Sequence, residues 1–282
     1  MIGVLLLTLR ELLARKVVLG LFLVATLVWG MLALALQLDV VEGTLQGIRL
    51  FGQAPEIRTE HGEGIEGLGD DPLRMIVVTA QAFVAVAAYW VGILLALFAT
   101  GGLVASLMER GRADLLLSKP LGRARILGGR LLGVGVVTAL LSVYLLGMVW
   151  LVMSLKSGVW NPGFLLGIGV VFAMFAVVYA IVALVSVWTE SSALALVVTL
   201  GVLFATIVLA IPGLADRVGA PWDGVVETLH VVLPRFPEVG AYTLPDLARG
   251  KSVDDWVPLA SSLAFGAVAY AATFWLFRRK DF

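Results

Sequence analysis

Residues 109–130 read ERGRADLLLSKPLGRARILGGR and hold six of the chain's 20 Lys and Arg residues. The stretches on either side, residues 75–108 and 131–155, contain no charged residue. A membrane-crossing helix needs about 20 apolar residues, and both flanks exceed that length. Six cations gathered between two such runs mark a connection between membrane spans, so the chain reads as a polytopic membrane protein. The composition agrees, with 60% hydrophobic and 14% charged residues, where soluble domains carry roughly a quarter charged.

Working outward, the uncharged runs give six expected spans, at about residues 17–37, 75–108, 131–155, 163–188, 192–211 and 257–277. A β-barrel would show alternating polarity over segments of about 10 residues. Unbroken runs predict instead an all-α fold, a single membrane domain over residues 1–282. Turn signals trim the runs: Trp160-Asn161-Pro162-Gly163 precedes the fourth and Ile211-Pro212-Gly213 ends the fifth. The second run is about a dozen residues longer than a bilayer needs, which predicts a tilted or projecting helix with Gly101 and Gly102 as a flexible point. Trp150, Trp160, Trp188, Trp256 and Trp275 fall near span ends, where amphipathic rings prefer the interface.

Orientation follows from charge. Lys and Arg minus Asp and Glu give +2 for residues 1–16, −5 for 39–74, +4 for 109–130, +1 at Lys156, −1 at Glu190, −3 for 216–255 and +2 for 278–282. Six spans place alternate connections together, so one side carries +7 and the other −7. The positive side is expected to be cytoplasmic and to hold both termini. A cleavable secretory signal ending near Ala33-Leu34-Ala35 is the rival reading of the N-terminus. Its apolar core would be 7–15 residues, whereas this one is nearer 20. Residues 1–16 predict an interfacial helix, with leucines in lipid and Arg10, Arg15 and Lys16, beside Glu11, at the phosphates. Of the two external segments, 39–74 is acidic and glycine-rich and is expected to be a mobile loop. Residues 212–256 mix apolar runs with prolines and predict short helices on the outer face.

The catalytic classes lack their parts. No expected span interior carries an ionisable group for a proton relay. His61 and His230 lie in external segments without neighbouring ligands at metal spacing, so no metal site is expected. Gly67-Leu68-Gly69-Asp70 imitates an intramembrane aspartyl-protease motif, but no span supplies a second carboxylate. Gly250-Lys251-Ser252 imitates the end of a phosphate loop, but Pro245 stands where that loop needs Gly. Cysteine is absent, so there is neither a disulfide framework nor a thiolate site. Neither a cofactor bound by this chain nor a nucleic-acid partner is expected. Energy for any uphill transport must then come from another chain.

The basic turn is the place for that chain to touch. Residues 112–117 can continue a helix out of the membrane, Ser118-Lys119-Pro120 breaks and restarts it, and residues 121–130 lead back in. Leu115, Leu116, Leu117, Leu121, Ile126 and Leu127 would seat the turn in the interface while Arg123, Arg125 and Arg130 stay wet. Lipid binding by the same cations is the simpler account. It explains their sign but not the break between two helical arms.

The stretch resembles the cytoplasmic turn of type-2 ATP-binding cassette (ABC-2) exporter membrane subunits, which commonly runs E, a gap, GTLELLLSKPVSR, three residues, L, one residue, GK. Glu109, Gly111, residues 115–117, Ser118, Lys119, Pro120, Arg123, Leu127 and Gly129 match, with Arg130 for the lysine. Arg112, Ala113, Asp114 and Gly122 depart from it. The basic N-terminal helix, LPRFPEVGAY before the last span and the closing FRRKDF look like the branch containing the nitrous-oxide-reductase maturation permease. The resemblance implies two paired permeases in the cell inner (plasma) membrane and a cytoplasmic ABC ATPase dimer carrying ATP and Mg. It implies ATPase docking on the interfacial helix and on a coupling turn comprising Glu109, Arg110, Gly111, Asp114, Ser118, Lys119, Pro120, Arg123, Arg125, Gly129 and Arg130. The uncharged span interiors favour an apolar or amphipathic cargo, or a lateral opening to lipid. A non-transporting anchor for a cytoplasmic complex, and a passive channel or carrier, are the alternatives.

Overall fold

The computed structural model describes residues 3, 7, 8, 10–12, 16–41, 44–50, 72–107 and 122–280. Six long helices form the bundle: α1 (Lys16–Ala35), α2 (Leu73–Ala105), α3 (Arg123–Ser157), α4 (Gly163–Thr189), α5 (Ser192–Leu209) and α6 (Val257–Arg279). Five of them, α2 to α6, are long and apolar enough to cross a membrane. The apolar part of α1, Val18–Leu34, is shorter and rises about 25 Å at 1.5 Å per residue.

α4 is the centre of the bundle. Two thirds of its apolar window, 67%, is buried, against 22–39% in the other four spans. A helix apolar all round has no wet face to present, so it is surrounded; α3, α5 and α6 pack directly on it. Tyr179 Oη in α4 donates to the Thr100 carbonyl of α2 at 3.2 Å, and Tyr270 Oη in α6 donates to Ala176 O at 2.8 Å. α4 starts after Pro162 and stops at Glu190, whose left-handed φ of 57° ends the hydrogen-bond ladder. Ser191 then caps α5 by accepting from Leu194 N.

α1 lies along α3 and runs parallel to it. Tyr144 ties the two at mid-height: its ring stacks on Phe22 at 4.6 Å, its hydroxyl is 2.9 Å from Thr26 Oγ1, and it accepts from Trp29 Nε1 at 3.2 Å. Near the far end Lys156 Nζ donates to Ala33 O.

The expected first span stops short and the described start of the expected 39–74 loop is paired: β1 (Leu36–Val41) runs antiparallel to β2 (Thr44–Leu50), Leu36 opposite Leu50; residues 42–43 and 51–71 lie outside the described residues. The pattern Leu-Gln-Leu-Asp-Val alternates with period two, as a half-covered strand does. Gly101 interrupts the helix, with one segment ending at Thr100 and the next starting at Gly102, while its own φ stays helical at −58°. A Cβ there would meet Leu196 Cδ2 of α5 at 2.7 Å, so the glycine serves close helix contact. A further irregularity in α2 comes earlier, as a π-helical turn at Ala88–Gly92.

The segment between α5 and α6 contains short helices, as expected, but not merely laid on the outside. Leu214–Val218 and Asp223–Val232 have no buried residue, whereas residues 236–248 turn back in and bury Phe236, Val239, Leu244, Leu247 and Ala248 against α2 and α4. Tyr89 stacks on Phe236 at 4.4 Å and donates to its carbonyl at 2.7 Å.

Candidate functional site

Of the basic turn, Glu109, Arg110, Gly111, Asp114, Ser118, Lys119 and Pro120 lie outside the described residues, as does Arg15 of the N-terminal segment. The frame that the turn joins is described: the end of α2, the first two turns of α3, and Thr8 to Leu12 in part.

Arg130 organises that frame. It sits in the second turn of α3 and its side chain is 4% exposed. Nη1 donates to Glu11 Oε2 at 2.5 Å, Nη2 to Ser106 Oγ at 2.8 Å and Nε to the Leu103 carbonyl at 3.1 Å. Ser106 Oγ also donates to Leu103 O, at 2.9 Å. A guanidinium presents five donors in a rigid fork, which lets one side chain bind the N-terminal segment and the last turn of α2 from its seat on α3. The expectation that Arg130 stays wet is therefore corrected: an ionised group among apolar helices needs partners, and here it has three.

Packing reinforces the same junction. Thr8 and Leu12, one helical turn apart, are fully buried, while Leu7 and Arg10 face outward. Thr8 lies so close to α3 that a Cβ on Gly133 would stand 2.6 Å from its Cγ2. Glu11 falls between the two inward positions and reaches Arg130.

A second cluster adjoins it. Arg123 Nη1 donates to the carbonyls of Arg278, at 3.3 Å, and Lys280, at 2.5 Å. Lys280 Nζ in turn donates to Val187 O and pairs with Glu190 Oε1, both at 2.7 Å. Arg279 covers the Trp275 ring at 4.1 Å. Through these contacts the start of α3 and the ends of α4 and α6 meet at one end of the bundle. Gly129 is buried there, whereas Arg125, Arg10 and Lys16 are exposed.

Sequence reasoning singled out Glu11 and Arg130 but not their pairing, and it missed Ser106, Glu190 and Lys280. The signals were present. Glu11 is the one acid in residues 1–16, and Glu190 the one charge between Lys156 and Asp216; a lone charge at the edge of apolar helices calls for an opposite partner.

At the other end Asn161 is the tie. Its Nδ2 donates to Gln81 Oε1 of α2 at 3.1 Å and to Ala248 O at 2.8 Å, and its carbonyl accepts from Trp150 Nε1 at 2.9 Å. His230 Nε2 lies 3.0 Å from Glu238 Oε1, and Glu238 Oε2 lies 3.7 Å from Arg235. His61 lies outside the described residues.

Neither end sets a nucleophile beside a base among the described residues; the arrangement joins helix ends. Through Arg130 the end of α2, the start of α3 and the N-terminal segment are joined to one another. A family model described as ABC-2 family transporter protein matches residues 52–282, which include every helix from α2 onward. The chain belongs to that family and is a multi-pass membrane component of an ABC transporter. Partnership with an ABC ATPase goes with that membership. No curated protein matches the chain.

Proposed function

We propose that the chain is the permease subunit of an ATP-driven exporter, paired with a second permease in the inner membrane and powered by a separate cytoplasmic ATPase dimer that binds ATP and Mg. α1 is its sixth span, and both termini and residues 109–130 face the cytoplasm. The branch assigned is that of the nitrous-oxide-reductase maturation permease, on LPRFPEVGAY and FRRKDF.

The observation that carries this reading is the Arg130 junction. A motor pressing on a surface turn does work on distant spans only if the turn is firmly joined to them. Arg130 supplies that joint where α2 ends and α3 begins, the two helices that the turn connects in sequence, with one side chain bonded to three elements. The docking face is then Lys119 of the turn with the exposed Arg125 and Arg10, while Arg130 and Gly129 support it from buried positions.

The test is affinity for the partner ATPase. Lys119→Glu with Arg125→Glu, in full-length chain in nanodiscs, should weaken binding at least tenfold, since charge reversal at a contact replaces attraction with repulsion. Undiminished binding would remove the docking assignment.

A further inference from the structure

Between α1, α2 and α3 the bundle is not filled. A cavity of about 100 Å³ lies at the level of Thr138 to Leu146, the middle of α3. Its floor includes Leu145, Leu146 and Phe175, and its side walls are Ala25 on α1 and Gly92 and Ala96 on α2. Thr138 and Ser142 also line it, but both hydroxyls already donate to carbonyls of their own helix, Val134 O and Thr138 O, at 2.9 Å. Nothing polar is left wanting a partner there. Such a cavity stays dry and takes up apolar molecules; one of roughly 150 Å³ binds benzene.

Two further features point to a ligand rather than a packing fault. The π-helical turn Ala88–Gly92 contributes Ala88 and Gly92 to the α2 wall, a rare geometry concentrated at functional sites. The cavity also has a side entrance: Val24 and Leu95 line it and are themselves 48% and 39% exposed. In a membrane-embedded helix, what lies outside such residues at mid-height is hydrocarbon.

We propose that this cavity is a binding site for one hydrocarbon chain, the tail of a membrane lipid or of a free amphiphile, entering sideways between α1 and α2 past Val24 and Leu95. The inference rests on the reading of the chain as a membrane-embedded permease, but not on ATPase docking.

Gly92 offers the means to test it. A Cβ at Gly92 has only Ala88 Cβ within 4 Å, at 3.9 Å, so the first atom of a Gly92→Leu side chain meets no backbone and the rest extends from the cavity wall. The full chain is reconstituted in nanodiscs, without ATPase, with phosphatidylcholine carrying a mid-chain diazirine in one arm and a free diazirine fatty acid in the other. After photolysis the adducts are mapped by peptide mass spectrometry. Adducts on Ala25, Gly92, Ala96 or Leu145 that fall at least fivefold in Gly92→Leu support the site. The arm that yields them tells a lipid tail from a free amphiphile.

No wall adducts in either arm, or equal labelling of Gly92→Leu, would overturn the proposal. Ala25→Phe closes the cavity from the α1 side and replaces Gly92→Leu should that variant not fold. Because no ATPase is present, failure here leaves the docking assignment standing, and failed docking leaves the labelling interpretable.

Discussion

Removing Glu11 should release the N-terminal segment more than removing Arg130 does. Glu11→Ala strands a guanidinium whose side chain is 4% exposed, with only Ser106 Oγ and Leu103 O left to it. Breaking a buried pair from one side costs about 3–5 kcal/mol. The two surviving hydrogen bonds bring the expected figure to about 2.7 kcal/mol, or roughly a hundredfold in an opening equilibrium. Arg130→Met instead leaves Glu11 21% exposed, where water can reach its carboxylate, and methionine keeps most of the apolar packing. Its cost should be near 1 kcal/mol. The chain has no cysteine, so Thr8→Cys places a single thiol at a fully buried position. Its labelling rate under native conditions reads local opening of the segment. The expected order is Glu11→Ala about a hundredfold faster than the parent, Arg130→Met about fivefold, and the double variant close to Arg130→Met alone. Labelling in Glu11→Ala within threefold of the parent, or Arg130→Met faster than Glu11→Ala, would refute the reasoning.

Gly101→Ala gains up to about 1 kcal/mol of helix propensity, yet its Cβ would stand 2.7 Å from Leu196 Cδ2 and 2.8 Å from Leu97 O; overpacking of about 1–3 kcal/mol should win, and denaturant titration in mixed micelles should show a net loss. Gly92→Ala, with no such neighbour, should be neutral or stabilising in the same assay. Asn161→Leu removes two buried hydrogen bonds, each worth about 1 kcal/mol, and should raise protease cleavage of residues 212–256 at least tenfold. The double variant Gln81→Leu/Asn161→Leu should recover part of that loss, because it no longer buries an amide without partners.

The helical class and the multi-pass character were legible because apolar runs longer than a bilayer leave little else to do with their backbone. The turns at Pro162 and Gly213 were legible for a local reason, the chemistry of proline and glycine. Other features depended on contacts distant in sequence. Glu11 and Arg130 are 119 residues apart, so each looked like one more interfacial charge. The interruption at Gly101 was legible from the glycine pair, but the close approach of Leu196 to it was not. The π turn Ala-Tyr-Trp-Val-Gly has nothing in its composition to separate it from an ordinary helical turn, so the cavity beside it was invisible. The hairpin was a missed pattern rather than a missing one: Leu36, Leu38 and Val40 alternate with Gln37 and Asp39, but the first of them were absorbed into the tail of a span.

The claim that most needs a direct test is that nucleotide on a separate ATPase changes the arrangement of these helices. Tyr242 and Trp160, 68% and 56% exposed at the end of the bundle away from Arg130, can each be replaced by Cys and spin-labelled in the cysteine-free chain. Pulsed electron resonance on nanodiscs containing the partner ATPase should show the distance distribution shifting when a non-hydrolysable ATP analogue and Mg are added, and no shift when the ATPase is omitted. An unchanged distribution with the ATPase bound would leave an anchor in place of a transporter, and a shift without the ATPase would contradict the account outright.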